Sequence, residues 1–139
     1  MSPEEWRAFL LAGTRTAKLA TTRADGRPHV VPIGFTLDGD DLIFNTGKES
    51  VKGKNLLRDP RVMISVDDER PPFAFVLIQG VAEVREASVE EMLPWTTKIA
   101  ARYMGAAKAE VYGKRNAVPG VLLVRVPLTH VIARGSVSD

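Results

Sequence analysis

The chain has 139 residues, 45% of them hydrophobic and 26% charged, with a net charge of +2 and no cysteine. That length buries one core and not two, so a single domain over residues 1–139 is expected, and the slight excess of Lys and Arg is too weak to argue for nucleic acid. The missing thiols exclude disulfides, thiolate catalysis, iron–sulfur clusters and cysteine-based zinc sites, and His29 and His130, the two histidines, show no paired metal spacing. With no apolar run of about 18 residues and no signal-peptide pattern, the expectation is a cytoplasmic protein without a membrane partner.

Ser2-Pro3-Glu4-Glu5 reads as a capping box with proline at the first helical position. It opens a helix that carries Trp6, Phe9 and Leu10 on one face and ends at Gly13. Residues 17–22 and 29–37 are strand-like runs joined by a turn in which Asp25-Gly26 signals a hairpin. Pro32 cannot donate to a ladder, so its strand is an edge or opens there. A second turn at residues 38–41 leads to a strand over 42–46, which makes a meander. Residues 50–58 form a short helix stopped by Asp59-Pro60, 62–66 a further strand, and 67–72 a charged loop. The run 73–85 is long, mostly apolar and interrupted by Gly80, as in a strand that bends or bulges at a barrel corner. Ser88-Val89-Glu90-Glu91 is a second capping box, opening a helix to about Met104 with Met92, Trp95, Ile99 and Tyr103 at helical spacing. Residues 105–116 lose any apolar period and read as a loop, and 121–126 and 130–133 are closing strands broken by Pro127. Hairpins dominate and no βαβ rhythm is visible, so the fold class is mainly β, an antiparallel barrel with flanking helices.

One segment carries the chemistry. Thr46, Ser50, Lys52, Lys54 and Asn55 come together where a strand gives way to the short helix. With Ser50 as N-cap, the free N–H groups of the first turn and the positive end of the helix dipole favour an anion in front of Thr46 and Ser50. Lys52 and Lys54 occupy the turn where the dipole prefers acids, at a cost of a few tenths of a kcal/mol each. A bound phosphate explains that choice; a solvated basic helix face explains it equally.

Four stretches resemble one family along the whole chain: KLATTRADGRPHVVPIGF, TGKESVKGKNLLRDPRV, IQGVAEV and VLLVRVPLTHVIA. They are similar to the first hairpin, the phosphate-binding turn and helix, a later barrel strand and the C-terminal strand of the split β-barrel family related to pyridoxamine 5′-phosphate oxidase. Within it the chain looks most like the branch using the deazaflavin coenzyme F420. The resemblance implies an FMN-binding-like antiparallel Greek-key split barrel and a homodimer whose sites take walls from both chains. It also implies hydride transfer from reduced F420 to a small unsaturated or conjugated organic substrate. FMN enzymes of the family place Arg before Lys on the phosphate helix, whereas this chain has Val51 before Lys52, which favours F420 over FMN. By the same resemblance Thr46, Ser50, Lys52, Lys54 and Asn55 hold the phosphodiester. Main-chain N–H groups around Val31, Ile33 and Gly34 donate to the ring, Val31 and Ile33 floor it, Pro32 opens the strand, and Gln79 reaches a ring carbonyl. His29 and Tyr103 are the weak proton-donor candidates. Lys98, Arg102, Lys108, Lys114 and Arg115 offer charge to a polyglutamate tail. Each of these residues also has a plain packing or surface explanation. The alternatives are an FMN-binding oxidase or reductase, and a non-catalytic protein that binds flavin, F420 or haem.

Overall fold

A computed structural model of the protein describes residues 1–138. Helix α1 (Pro3–Leu11) begins with the full reciprocal capping box of Ser2 and Glu5. Strand β1 (Ala17–Thr22) pairs with β2 (Pro28–Ile33) across the Asp25-Gly26 turn. The expected single strand over 29–37 is two. After Gly34-Phe35 the chain enters β3 (Thr36–Asp38), which pairs with β4 (Asp41–Gly47) in a different sheet. Then come α2 (Val51–Arg58), β5 (Arg61–Asp67), β6 (Phe75–Val81) and β7 (Glu83–Glu86). The run 73–85 does bend, but at Ala82, where the chain again changes sheet. Gly80 has a packing reason of its own, since a Cβ there would stand 2.9 Å from Val126 Cγ1.

Helix α3 (Val89–Met104) starts at Ser88, but only half of the second capping box forms. The Ser88 hydroxyl accepts from Glu91 N, while the Glu91 carboxylate is taken by the Arg85 guanidinium. The segment read as a loop is folded: a single 3₁₀ turn leads into α4 (Ala109–Asn116). Its sequence, AEVYGKRN, has good helix formers but no apolar stripe, because α4 packs on α3 through a glycine, with Gly113 O accepting from the buried Thr96 hydroxyl at 2.8 Å. Strands β8 (Val121–Pro127) and β9 (His130–Arg134) complete the chain.

Two antiparallel sheets result, ordered β2-β1-β5-β6-β9 and β3-β4-β8-β7. Among the described residues no ladder joins them, so the strands form two open sheets around one core and not a closed hydrogen-bonded barrel. Leu19, Ile64 and Ile78 from the first meet Phe44, Leu122 and Val124 from the second. The four-stranded sheet is covered on its other side too, where Ile43 and Leu123 pack under Met92 of α3. That double burial is why β4 and β8 read as continuous apolar runs while β1 and β5 alternate. Among the described residues the five-stranded sheet has no such cover on its outer face. Val30, Met63, Val81 and Ile132 lie exposed across it. No helix among the described residues is long and apolar enough to cross a membrane.

Candidate functional site

The turn from β4 into α2 is built around the Ser50 hydroxyl. It donates to Gly47 O at 2.8 Å, accepts from Gly53 N at 3.0 Å and lies 3.0 Å from the Thr46 hydroxyl. A Cβ on Gly53 would fall 2.2 Å from Gly47 O, so only glycine lets the helix fold back this tightly. Ser50 is therefore fully engaged as the N-cap, and the donors left at the helix mouth are the N–H groups of Val51 and Lys52. Three lysines surround it. Lys48 pairs with Glu86 at 3.3 Å and Lys54 with Glu49 at 3.8 Å. Lys52, half-buried, has no carboxylate partner among the described residues.

Asn55 does not reach this mouth. Buried, it donates from Nδ2 to Thr21 Oγ1 at 3.0 Å and accepts from Arg58 at 3.0 Å, and Arg58 also donates to Thr22 O. The pair ties α2 to β1. His29 is the cross-strand neighbour of Thr21, and its Nδ1 is buried with no hydrogen-bond partner among the described residues.

Strand β2 is the edge of its sheet. Arg23 N donates to Arg27 O at the hairpin turn, which fixes the alternation of the ladder: His29, Val31 and Ile33 face β1, whereas Pro28, Val30, Pro32 and Gly34 face the free edge. The expectation that Val31 and Ile33 offer main-chain donors is corrected accordingly. Their N–H groups are spent on Leu19 and Ala17, and the unpaired ones belong to Val30 and Gly34. The side chains follow the same alternation. Val31 and Ile33 pack into the core, and the apolar surface open to a ligand is that of Val30 and Pro32. Both proline positions now have a reason, since neither needs the donor it lacks.

Tyr103 is held at both ends of its hydroxyl, which donates to Arg15 O at 2.8 Å and accepts from Phe35 N at 3.2 Å. Burial pushes its pKa up, against the smaller opposing influence of the Phe35 amide. Its proton is committed to the main chain. Lys98 and Arg102 are likewise spent on carbonyls, Lys98 on Leu37 O and Arg102 on Leu10, Gly13, Arg15 and Phe35. Burial lowers the Arg102 pKa. Lys114 pairs with Glu110, and Arg115 lies over the Tyr112 ring, which leaves Lys108 as the part of that basic stretch unengaged among the described residues.

Gln79 stands apart from these groups. It is exposed on the outer face of the five-stranded sheet, between Met63 and His130 in the cross-strand row. There it lines a groove of about 1050 Å³ with Ala20, Thr22, Pro28 and His130. The Thr21–Asn55 link lies on the opposite face, so a single chain brings Thr46, Ser50 and Lys52 together but leaves Gln79 across the sheet. Thr21, Arg58 and the Met63–His130 row were not legible as site components, since only strand register assembles them.

Comparison with solved structures supports the fold. A conserved hypothetical protein of Mycobacterium tuberculosis is 26% identical, with a TM-score of 0.81, covering 96% of this chain and 84% of that one. An F420 reductase is 24% identical at a TM-score of 0.70, covering 90% and 94%. The haem storage protein HutZ of Vibrio cholerae is 19% identical at 0.74, covering 98% and 97%. The last two likenesses speak for the fold alone. Residues 2–132 match the family model described as pyridoxamine 5′-phosphate oxidase, and the chain belongs to that family.

Proposed function

We propose that the protein is a cytoplasmic F420-dependent oxidoreductase, acting as a homodimer on a small unsaturated or conjugated organic molecule. The observation that carries the reading is Lys52, a half-buried cation at the mouth of α2 without a carboxylate partner among the described residues, beside a Val51 that is 53% exposed. One free charge and two main-chain donors suit a phosphodiester with a single negative charge. A phosphate monoester such as that of FMN calls for a second cation, which Val51 does not supply. Thr46, Lys52 and the first-turn N–H groups would hold the phosphodiester, and Val30 and Gly34 would donate to the ring edge over the apolar surface of Val30 and Pro32. F420 supplies the hydride. The chain's own work is to place the ring, neutralise the phosphate and keep water out. The Tyr103 proton is committed, and His29 stands on the Thr21 face of the sheet, away from the surface of Val30 and Pro32, so neither is assigned proton delivery.

The dimer is supported by the outer face. Val30, Val81 and Ile132 are 63%, 59% and 58% exposed on one uncovered sheet surface. A second copy against it would complete a split barrel, wall the groove and return a Gln79 toward the β2 edge. The same groove favours one other reading, a haem-binding protein without turnover, because His130 and Met63 border it together.

The test is to mix the protein with F420, FMN or haem, gel-filter it and record the absorbance of the protein peak, then to follow oxidation of reduced F420 with a panel of enones and quinones. F420 is expected to co-elute and to turn over. Stoichiometric FMN in the purified protein, or co-elution of haem alone, overturns the reading; F420 binding without turnover makes the protein a carrier.

A further inference from the structure

The two residues between Ile33 and Thr36 carry the chain from one sheet to the other, and the last turn of α3 grips both of them. Phe35 has its N–H bonded to the Tyr103 hydroxyl at 3.2 Å and its carbonyl to Arg102 Nη1 at 2.9 Å. The Tyr103 ring lies against Gly34 so closely that a Cβ there would stand 3.0 Å from Cε2 and 3.2 Å from Cδ2. The grip is itself anchored. The Arg102 guanidinium donates to Leu10 O at 2.6 Å and Gly13 O at 3.1 Å, and stacks over Phe35 at 4.4 Å from its ring centre. The Tyr103 hydroxyl donates to Arg15 O. Lys98, one turn earlier, holds Leu37 O at 3.1 Å. Consecutive side chains of one helix thus capture both main-chain groups of Phe35 and pack against Gly34.

We infer that Arg102 and Tyr103 are positioning residues for the β2 edge: through Phe35 they set where the free N–H of Gly34 and the surface of Pro32 stand, without touching the ligand themselves. The inference rests on the reading of that edge as the place where the F420 ring lies. The geometry favours a positioning role over a general packing one because the main chain of the corner lies outside both ladders: Ile33 pairs with Ala17 and Thr36 with Ile43, and the polar groups of Phe35 between them are taken by α3. Gly34 has the widest conformational freedom of any residue type, and β2 has no strand beyond it to fix its end. A donor misplaced by a fraction of an ångström binds less well, and the helix supplies the missing constraint.

The test uses the full-length protein with Tyr103→Phe, which keeps the ring against Gly34 and removes both hydroxyl bonds, and Arg102→Lys, which keeps the charge and loses the fork. For each variant, amide hydrogen exchange at residues 34–35, F420 affinity and the visible absorption band of bound F420 are measured well below the melting temperature. Faster exchange at Phe35 is expected, with a dissociation constant raised about fivefold to tenfold, the equivalent of one lost hydrogen bond, and a shifted absorption band. Faster exchange with unchanged affinity and an unshifted band overturns the inference, because a purely structural latch moves stability and not the ligand. Unchanged exchange overturns it as well. A wild-type protein that ignores F420 in the same titration fails the underlying reading of the site, a result separate from a wild type and variants that bind equally well.

Discussion

Replacing Asn55 by alanine separates the structural use of α2 from its use in binding. The side chain is 4% exposed, and both of its ends are engaged. Nδ2 satisfies the hydroxyl of Thr21, a residue only 3% exposed, so the variant leaves a buried hydroxyl without its partner, which costs about 1–3 kcal/mol. The lost acceptor for Arg58 adds about 0.5–1 kcal/mol, discounted because that guanidinium reaches solvent and keeps its bond to Thr22 O. The sum, about 1.5–4 kcal/mol, is a large share of the 5–15 kcal/mol that holds a typical domain folded. At roughly 4 °C per kcal/mol for a chain of this size it lowers Tm by about 6–16 °C. Urea denaturation followed by circular dichroism measures it, with an unchanged m-value as the sign that only stability moved. The same variant, titrated with F420 while fully folded, is expected to keep its affinity within about threefold, since Asn55 does not face the helix mouth. A stability loss below about 1 kcal/mol, or an affinity loss of tenfold or more, refutes this assignment and restores Asn55 as a ligand.

Three further outcomes are expected. Lys52→Ala weakens F420 binding by about 1.5–3 kcal/mol with Tm nearly unchanged, because it removes the cation at the mouth of α2 that has no carboxylate partner among the described residues; fluorescence titration showing an unchanged dissociation constant returns Lys52 to the solvent. Asp59, hydrogen-bonded through its carboxylate to Arg61, has its pKa held at about 2 against an ordinary 3.8, so its contribution is complete above the ordinary value and is lost as pH falls toward 2. The difference in urea midpoint between wild type and Asp59→Asn is thus expected to be constant from neutral pH to about pH 5 and to close by about pH 2; a difference that persists there counts against the pairing. Sedimentation at micromolar concentration is expected to give twice the 15.2 kDa chain mass, and a monomer that still binds cofactor tightly removes the shared site.

What the sequence showed and what it hid follow from the range of the interactions involved. The caps at Ser2, Ser50 and Ser88 and the Asp25-Gly26 turn are local, and each stands where the residues place it. The glutamate of the second capping box went elsewhere because Arg85, across the loop, is a stronger partner than a backbone amide. The two strand runs that proved to be pairs of strands split for a longer-range reason: alternation and apolarity continue through a corner, and only the packing of a second sheet decides that the chain turns. Ladder parity is the other hidden variable. The prolines at 28 and 32 share one parity, which is enough to place the donors of Val31 and Ile33 inside the ladder, yet that deduction needs β2 to be an edge, and an edge is a property of the sheet and not of the strand. The basic residues of α3 show the same limit in charge. Lys98 and Arg102 look like an anion-binding face when counted along the chain, but a helix laid over a strand crossing meets unpaired carbonyls, and cations with long stems are the side chains able to satisfy them. Lys52 stands out in the sequence for the opposite reason, and its role stays a proposal. It sits in a first turn where the dipole disfavours it, with no acid in that turn, and among the described residues no carboxylate pairs with it.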